Sequence, residues 1–369
     1  MNFLRISMCL YFCGLSIVSS AQIWPGDVNN NGITNNVDLL WYGSVYNDKG
    51  PARQPGQQGT QWENKNLMDL WPNNFPNGVN HAFGDCDGDG EVEFEDAFPI
   101  ILNYNKTHNV VTTDVFNQGI EGINQPLFLT SNTSQVIEGN PIVLSVNLGT
   151  EALPINDFFG LAFTVVYDPT IFSPNFGGGS FLLDNNSWIG SDIETVDFFI
   201  QDPVSGRVDV GITRKNNGNV NGFGALGNFF IVIEDHVVGL QEPSIETQIW
   251  LEDVKLLNDT LSETIVFADT IDITILNDDI INFTQNEEFS KLKIYPNPAN
   301  RNIWIESKNQ VIHRIELFNS TGYSMENFFQ QMKTNESIEL VFQSIPVGIY
   351  FLKITTTEKI ITQKITISE

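Results

Sequence analysis

The chain has 369 residues, enough for two or three domains of roughly 150 residues each. Hydrophobic residues make up 41% of the chain and charged residues 17%, a composition that excludes a disordered or coiled-coil protein. The 45 acidic residues outnumber the 18 basic ones and give a net charge of −27, which excludes a nucleic-acid partner and favours cations as ligands.

The N-terminal residues have the pattern of a secretory signal peptide. A basic residue precedes an apolar stretch from Met8 to Val18, and small residues follow it up to Ala21. We therefore predict a signal peptide over residues 1–21 with cleavage before Gln22. The apolar stretch is too short to span roughly 30 Å of hydrocarbon, so no transmembrane anchor is expected.

Cysteine usage is compatible with export but not with disulfides. Cys9 and Cys13 lie in the predicted signal peptide, so Cys86 is the one cysteine expected in the mature chain. Stability must then come from packed cores or from metal. Because Asp85 and Asp87 would raise the pKa of the thiol, we expect Cys86 to be sheltered rather than catalytic.

A twelve-residue stretch, residues 85–96, has the spacing of a calcium-binding loop. Carboxylates stand at loop positions 1, 3, 5 and 12, and glycine stands at position 6. Oxygen donors at these positions wrap a hard cation, the glycine permits the sharp turn, and a main-chain carbonyl at position 7 adds a donor. The expected calcium ligands of this second loop are Asp85, Asp87, Asp89, Glu91 through its carbonyl, and Asp96.

An earlier stretch, residues 27–38, repeats this register with fewer charges. Since its ligand set has two carboxylates instead of four, this first loop should bind calcium more weakly and fill after the second. Runs of Asp, Asn and Gly also form plain turns, but two loops in one register, each followed by an apolar run with helical spacing, favour calcium. The expected ligands of the first loop are Asp27, Asn29, Asn31, Ile33 through its carbonyl, and Asp38.

A calcium loop followed by a single helix, with Asp at position 12, resembles the dockerin module. The resemblance covers about residues 24–107 and is carried by the two loops. It implies a small calcium-stabilised module that recognises a cohesin partner through loop positions 10 and 11. This chain has Asn36-Val37 and Phe94-Glu95 there, where dockerins usually have a small hydroxyl pair.

An insert, residues 43–84, separates the two loops and contains Trp62 and Trp71. Aromatic rings can form a sugar-binding platform, but a short domain with little helix needs large rings for its core. We expect these rings to be structural, with a glycan platform as the alternative. The predicted calcium module then occupies residues 22–117.

Residues 118–279 are predicted to form a β-sandwich. Short runs alternate apolar and polar residues, with Gly, Pro, Asn and Asp between them, and no long helical period intervenes. An antiparallel sandwich follows from this pattern. The clearest predicted strands are residues 142–148, 161–167, 208–212, 229–233 and 271–275.

This region has landmarks that resemble those of cohesin modules. They are Val136–Pro141 before a long strand, Gly160–Phe163 leading to Tyr167-Asp168-Pro169, and Gly222–Gly227 before Phe229. The resemblance implies a sandwich that binds dockerin-type modules, and a generic immunoglobulin-like sandwich is the alternative. The glycine-rich landmark also fits G-x-G-x-x-G, but a strand is predicted after it, so no phosphate would meet a helix N-terminus.

The composition changes near residue 280. Residues 22–289 hold 8 basic and 38 acidic residues, whereas residues 290–369 hold 9 basic and 7 acidic ones. A domain boundary with a polar linker over residues 280–289 is therefore predicted. Alternating runs in the last part of the chain predict a small C-terminal β-sandwich over residues 290–369.

The last domain resembles the C-terminal sorting domain of the type IX secretion system of Bacteroidetes. Tyr295–Pro298, the Gly348–Tyr350 step and a closing strand with Lys364 carry the resemblance. It implies export through the outer membrane of a Gram-negative bacterium by the type IX secretion machinery. Removal of the domain, with release or attachment at the cell surface, would follow.

No catalytic constellation is found in the sequence. The histidines have neither a G-x-S-x-G partner nor metal-ligand spacing, and each is expected to be a surface or packing residue. They are His81, His108, His236 and His313.

The predicted fold class is mainly β: a small α/loop dockerin-like calcium module, a cohesin-like or immunoglobulin-like sandwich, and a small C-terminal sandwich. We expect a secreted or surface-displayed, calcium-binding, non-catalytic scaffold. Its expected partner is a cohesin- or dockerin-like protein, a second copy of the chain, or a glycan. A carbohydrate-active accessory protein, or a component of a polysaccharide hydrolase, is the alternative.

Overall fold

The computed structural model describes residues 21–172, 178–215, 218–234, 244–276, 292–307, 311–333, 337–356 and 360–368. The predicted linker, His236 and all but the last residue of the predicted signal peptide lie outside these ranges. Strands dominate the described residues, which confirms the predicted mainly β fold class. Within those ranges no helix has the length and apolar character needed to cross a membrane.

The N-terminal module contains two helices, α1 (Asn36–Ser44) and α2 (Ala97–Leu102), and a small sheet of β1 (Ala21–Ile23) and β2 (Lys65–Leu67). Helix α1 begins with a capping box: the Asn35 side chain accepts from an N–H of the first turn, and Asp38 accepts from the N–H of Asn35. Pro99 lies in the first turn of α2, where its missing N–H costs little. Helix α1 begins within the last residues of the first loop and α2 directly after the second loop, so both apolar runs with helical spacing are helices.

One hydrophobic core joins the loops, the helices and the insert of this module. Trp71 is buried and its Nε1 donates to the carbonyl of Pro51, so this ring is structural as predicted. Cys86 is fully buried, which confirms the prediction of a sheltered thiol, and burial raises its pKa well above the ordinary value. Four residues of the middle domain also belong to this core: Ala162, Val196, Phe198 and Leu257.

The middle domain contains fourteen of the described strands. They are β3 (Gln125–Thr130), β4 (Gln135–Ile137), β5 (Pro141–Leu148), β6 (Ile155–Phe158), β7 (Gly160–Tyr167), β8 (Ser180–Leu183), β9 (Thr195–Asp202), β10 (Arg207–Arg214), β11 (Val220–Gly222), β12 (Gly224–Val232), β13 (Ser244–Leu257), β14 (Glu263–Thr264), β15 (Val266–Ala268) and β16 (Thr270–Leu276).

These strands form two main sheets that face each other across a hydrophobic core. One sheet has the order β4-β16-β13-β7-β10-β9, with β14 paired to β13, and the other has the order β15-β3-β5-β12-β8. Most neighbours are antiparallel, but β15 pairs with β3 and β16 with β4 in parallel. All five predicted strands are present, and the glycine-rich landmark is part of β11 and β12, not a helix start.

Strand β7 is buried along its whole length. Leu161, Phe163 and Val165 face the core between the two sheets, while Ala162 packs into the core of the N-terminal module. A strand covered on both faces carries a continuous apolar run instead of an alternating one, as residues 160–167 do.

The C-terminal domain is a second, smaller sandwich, as predicted. Its strands are β17 (Leu292–Tyr295), β18 (Asn302–Ser307), β19 (Ile312–Asn319), β20 (Phe329–Lys333), β21 (Ser337–Phe342), β22 (Gly348–Thr356) and β23 (Ile360–Ile367). They form the sheets β17-β18-β21-β20 and β19-β22-β23. Phe351 of β22 packs on Phe230 of the middle domain with ring centroids 4.9 Å apart, so this domain covers part of the middle sandwich.

Candidate metal centre

The second loop brings three of its predicted ligands together. Carboxylate oxygens of Asp85, Asp87 and Asp89 lie within 4.8 Å of one another, which is close enough to share one cation. The loop backbone fixes them: Asp85 accepts from the N–H groups of Gly88 (2.6 Å) and Gly90 (3.1 Å). Both glycines have a left-handed φ, near 90° and 101°, which only glycine adopts without strain.

Asp96, the last carboxylate of the second loop, is not part of that group of three. It is fully buried and closes the loop by accepting from the N–H groups of Asp87 (3.1 Å) and Glu93 (2.9 Å). Burial raises the pKa of Asp96 to about 8 and that of Asp85 to about 6. Burial also raises the pKa of Asp87. The charged forms of these carboxyl groups are therefore disfavoured in the folded loop.

Arg53, a residue of the insert, lies against the second loop. Its Nη2 donates to the carbonyl of Cys86 at 2.8 Å, and its charge lowers the pKa of Asp85, against the larger effect of burial. The side chain is 5% exposed, and its Nε and Nη1 atoms have no hydrogen-bond partner among the described residues. A Cβ atom at Gly88 would lie 2.1 Å from Arg53 Nε, so the glycine also permits this close approach.

The first loop has a similar hydrogen-bond pattern, with the position 6 glycine donating to the first aspartate in both loops, but fewer acids. Asp27 accepts from the N–H groups of Asn31 and Gly32, both at 3.0 Å. Asp38 is fully buried and accepts from the N–H of Val28 at 2.7 Å. Burial and the nearby charge of Asp27 raise the pKa of Asp38 well above its ordinary value.

His108 lies against the first loop, although its sequence context gave it no role there. Its Nε2 is 2.6 Å from Oδ2 of Asp27, and its ring stacks on Trp24 with centroids 4.9 Å apart. The side chain is buried, so it is a packing residue as predicted and also a hydrogen-bond partner of Asp27. Its Nδ1 has no partner within the described ranges.

Each loop pairs with the segment that follows the helix of the other half. The first loop exchanges hydrogen bonds at Thr34 with Lys106 (3.1 Å) and Asn105 (2.8 Å), after α2. The second loop does the same at Val92 with Asp48 (2.9 Å) and Asn47 (2.8 Å), after α1. The paired residues stand at equivalent positions in the two halves. The module is therefore an internal duplication in which each half forms hydrogen bonds with the loop of the other.

Helix α1 packs on the middle sandwich at the centre of strands β7 and β10. Asn36, at position 10 of the first loop, donates through Nδ2 to the carbonyls of Phe163 (3.3 Å) and Val210 (3.0 Å). Those two residues face each other across the strand pair. The Tyr104 hydroxyl, which follows α2, donates to Asp209 at 3.0 Å. The two modules are thus in contact within one chain.

Three glycines make room for this contact. A Cβ atom at Gly43 of α1 would lie 2.0 Å from the Thr213 hydroxyl, and one at Gly160 of β7 would lie 2.8 Å from Leu40. A Cβ atom at Gly211 of β10 would lie 3.2 Å from the carbonyl of Asn36. Because Gly160 and Gly211 on the sheet and Gly43 on the helix have no side chains, α1 can approach the sheet closely.

A comparison with protein families identifies the C-terminal domain. Residues 293–368 match the family described as the secretion system C-terminal sorting domain. This confirms the prediction made from Tyr295–Pro298 and the closing strand. The chain therefore carries a type IX sorting domain, which implies export to the cell surface or secretion. No curated protein matches the chain.

Cohesin modules are among the solved structures that resemble this chain. A type I cohesin–dockerin complex from Clostridium thermocellum has a TM-score of 0.35 at 8% identity, covering 45% of this chain and 99% of that one. A type II cohesin of the ScaA scaffoldin from Acetivibrio cellulolyticus has a TM-score of 0.31 at 14% identity, covering 41% and 97%. The cohesin of a family 33 glycoside hydrolase from Clostridium perfringens has a TM-score of 0.31 at 8% identity, covering 42% and 98%.

Proposed function

We propose that this protein is an exported, non-catalytic scaffold whose N-terminal module binds two calcium ions and docks on its own β-sandwich. The convergence of Asp85, Asp87 and Asp89 within 4.8 Å carries the proposal. Carboxylate and carbonyl oxygens are the ligands that suit a hard cation, and the absence of thiolate or imidazole from the proposed set favours calcium over transition metals.

The buried charges of the module support an ion in each loop. Asp27, Asp38, Asp85 and Asp96 are each at most 1% exposed, and an unpaired buried carboxylate is costly. Among the described residues, the buried basic groups packed against the loops are Arg53 and His108, and Lys49 pairs with Glu91 at the surface. A divalent cation would supply the missing positive charge and relieve the raised carboxyl pKa values.

The proposed ligands are the ones that the spacing predicts. In the second loop they are Asp85, Asp87, Asp89, the carbonyl of Glu91, and Asp96. In the first loop they are Asp27, Asn29, Asn31, the carbonyl of Ile33, and Asp38. The main-chain hydrogen bonds to Asp27 and Asp85 hold both loops in the same shape, which supports a common ion-binding role.

The scaffold part of the proposal rests on the docking of α1. Asn36 stands at loop position 10, where a dockerin-like module would contact its partner, and in this chain it contacts β7 and β10. We infer that the sandwich and the calcium module form an internal pair of dockerin and cohesin type. Calcium then maintains the shape of a helix that is already in place on its partner.

A catalytic role is not part of the proposal, because the histidines near the loops have structural partners. His81 lies 2.7 Å from Asp48, and His108 lies 2.6 Å from Asp27. The first pair ties two parts of the insert together, and the second ties the first loop to the segment that follows α2.

Calorimetry on the protein without its predicted signal peptide, residues 22–369, tests the proposal. Titration with Ca²⁺ should give two binding events, and calcium at a thousandfold excess over Kd should stabilise the module by about 4 kcal/mol per occupied site relative to EDTA. The double variant Asp85→Asn, Asp89→Asn should lose one event. Glu121→Gln with Glu151→Gln, two exposed acids outside the loops, is the control with the same change in charge. No heat of binding and a melting temperature unaffected by EDTA would refute calcium binding.

A further inference from the structure

Asp114 follows α2 and lies beyond both twelve-residue loops, yet its side chain is tied to the first loop. Its Oδ2 accepts hydrogen bonds from two side-chain amides, Nδ2 of Asn31 at 3.0 Å and Nδ2 of Asn35 at 2.8 Å. These asparagines stand at loop positions 5 and 9. One carboxylate oxygen therefore holds both amide NH₂ groups.

The orientation of these amides decides whether they can serve a cation. An asparagine side chain has an oxygen that can coordinate a cation and an NH₂ group that cannot, and the two differ by a half-turn. The NH₂ group of Asn31 donates to Asp114, so the Oδ1 of Asn31 points toward the loop backbone. There it accepts a hydrogen bond from the N–H of Ile33 at 3.1 Å. Asp89 makes the same bond in the second loop, to the N–H of Glu91 at 2.9 Å.

The second loop needs no such partner. Its positions 5 and 9 are Asp89 and Glu93, carboxylates that present an oxygen in either orientation. The segment that packs on the second loop, residues 50–60, contains no acidic residue, and Arg53 lies against that loop instead. A carboxylate therefore accompanies only the loop that has amides to orient.

The charge of Asp114 also acts on the first loop. It is close enough to Asp27 and Asp38 to repel their charges, while Lys255 of the middle domain favours its charged form. It therefore adds a third negative charge beside a loop whose ligand set has two.

We propose that Asp114 is a positioning residue of the first loop: it fixes Asn31 so that its oxygen, and not its NH₂ group, faces a bound calcium ion. The oxygen of Asn35, which Asp114 orients in the same way, caps α1 by accepting from the N–H of Val37 at 2.9 Å. This inference rests on the proposed function. Groups that orient metal ligands in this way typically change affinity ten- to a hundredfold.

Calcium titration of the full chain carrying Asp114→Asn tests the inference. The first-loop event, identified by its loss in Asp27→Ala, should weaken at least tenfold, while the second-loop event keeps its affinity. Glu121→Gln is the control for the loss of one negative charge on the same connecting segment and should leave both events unchanged.

A second background separates positioning from charge. In a chain that carries Asn31→Asp, position 5 offers an oxygen in either orientation, so adding Asp114→Asn should cost less than threefold in first-loop affinity. An equal loss in both backgrounds would show that Asp114 acts only by its charge and would overturn the inference.

The two proposals fail in different ways. A first-loop affinity within twofold of the unsubstituted chain in Asp114→Asn, with both events still present, overturns the role of Asp114 and leaves calcium binding intact. The absence of both events from the unsubstituted chain overturns the proposed function, and the inference with it.

Discussion

The two halves of the N-terminal module share one backbone plan but have different surroundings. In the first half, α1 lies on the middle sandwich and Leu40 is fully buried; in the second half, the equivalent Phe98 is 45% exposed. The first loop has amides at positions 3 and 5, whereas the second has carboxylates. The two halves therefore differ in role. The first half supplies the interface with the middle sandwich, and the loop of the second half carries the larger negative charge.

The largest expected effect comes from equivalent truncations in the two helices. Leu40→Ala should lower the free energy of unfolding by about 3 kcal/mol, because it leaves a cavity between α1 and β7. Phe98→Ala, at the matching position of α2, should cost less than about 1 kcal/mol since much of its ring is already in water. Chemical denaturation of both variants in excess calcium measures the contrast, and equal losses would show that α1 is not docked in solution.

The next effect is a dependence of stability on pH in the absence of calcium. Burial holds the pKa of Asp85 at about 6 and that of Asp96 at about 8, so the folded chain retains protons that the unfolded chain has released above about pH 4. Stability should therefore fall as pH rises from 5 to 8. For Asp85 alone the fall between pH 5 and pH 8 is about 1.4 kcal/mol, because its folded pKa lies about one unit above pH 5.

Thermal melts at pH 5 and pH 8, in EDTA and in calcium, check this dependence. The fall should shrink in calcium, because the ion replaces the protons on the loop carboxylates. A stability that rises with pH in EDTA would contradict the raised carboxyl pKa values.

The smallest expected effect is the order in which the loops fill. The second loop, with four ligand carboxylates, should bind calcium about tenfold more tightly than the first, a difference of about 1.4 kcal/mol. Asp85→Ala should therefore remove the tighter event in a calorimetric titration, and Asp27→Ala the weaker one. Loss of the tighter event in Asp27→Ala would mean that docking and Asp114 outweigh the difference in charge.

The parts of the molecule that depend on local spacing could be predicted from the sequence. The convergence of Asp85, Asp87 and Asp89, the apolar runs of α1 and α2 and the alternation in β5 and β10 all depend on windows of about a dozen residues or fewer. The sorting domain was also predictable, because its landmarks are short motifs at fixed places near the end of the chain.

The contacts between distant segments could not be predicted in this way. Arg53 and Asp114 reach the loops from outside the twelve-residue windows, and no local pattern marks either of them. The docking of α1 did leave a signal: residues 160–167 lack the polar alternation of a half-exposed strand, and glycines stand at Gly160 and Gly211. A strand with no solvent face implies a second layer, although its identity depends on the folded chain.

The reciprocal pairing of the two loops makes the module indivisible. The first loop is held near Thr34 by hydrogen bonds to the segment after α2, which belongs to the second half. The second loop is held near Val92 by hydrogen bonds to the segment after α1, which belongs to the first half. A fragment that ends in the insert would contain the first loop but would lack the segment after α2 that pairs with it. Transplantation to another protein must therefore move both repeats together, since neither repeat on its own contains a complete copy of the architecture.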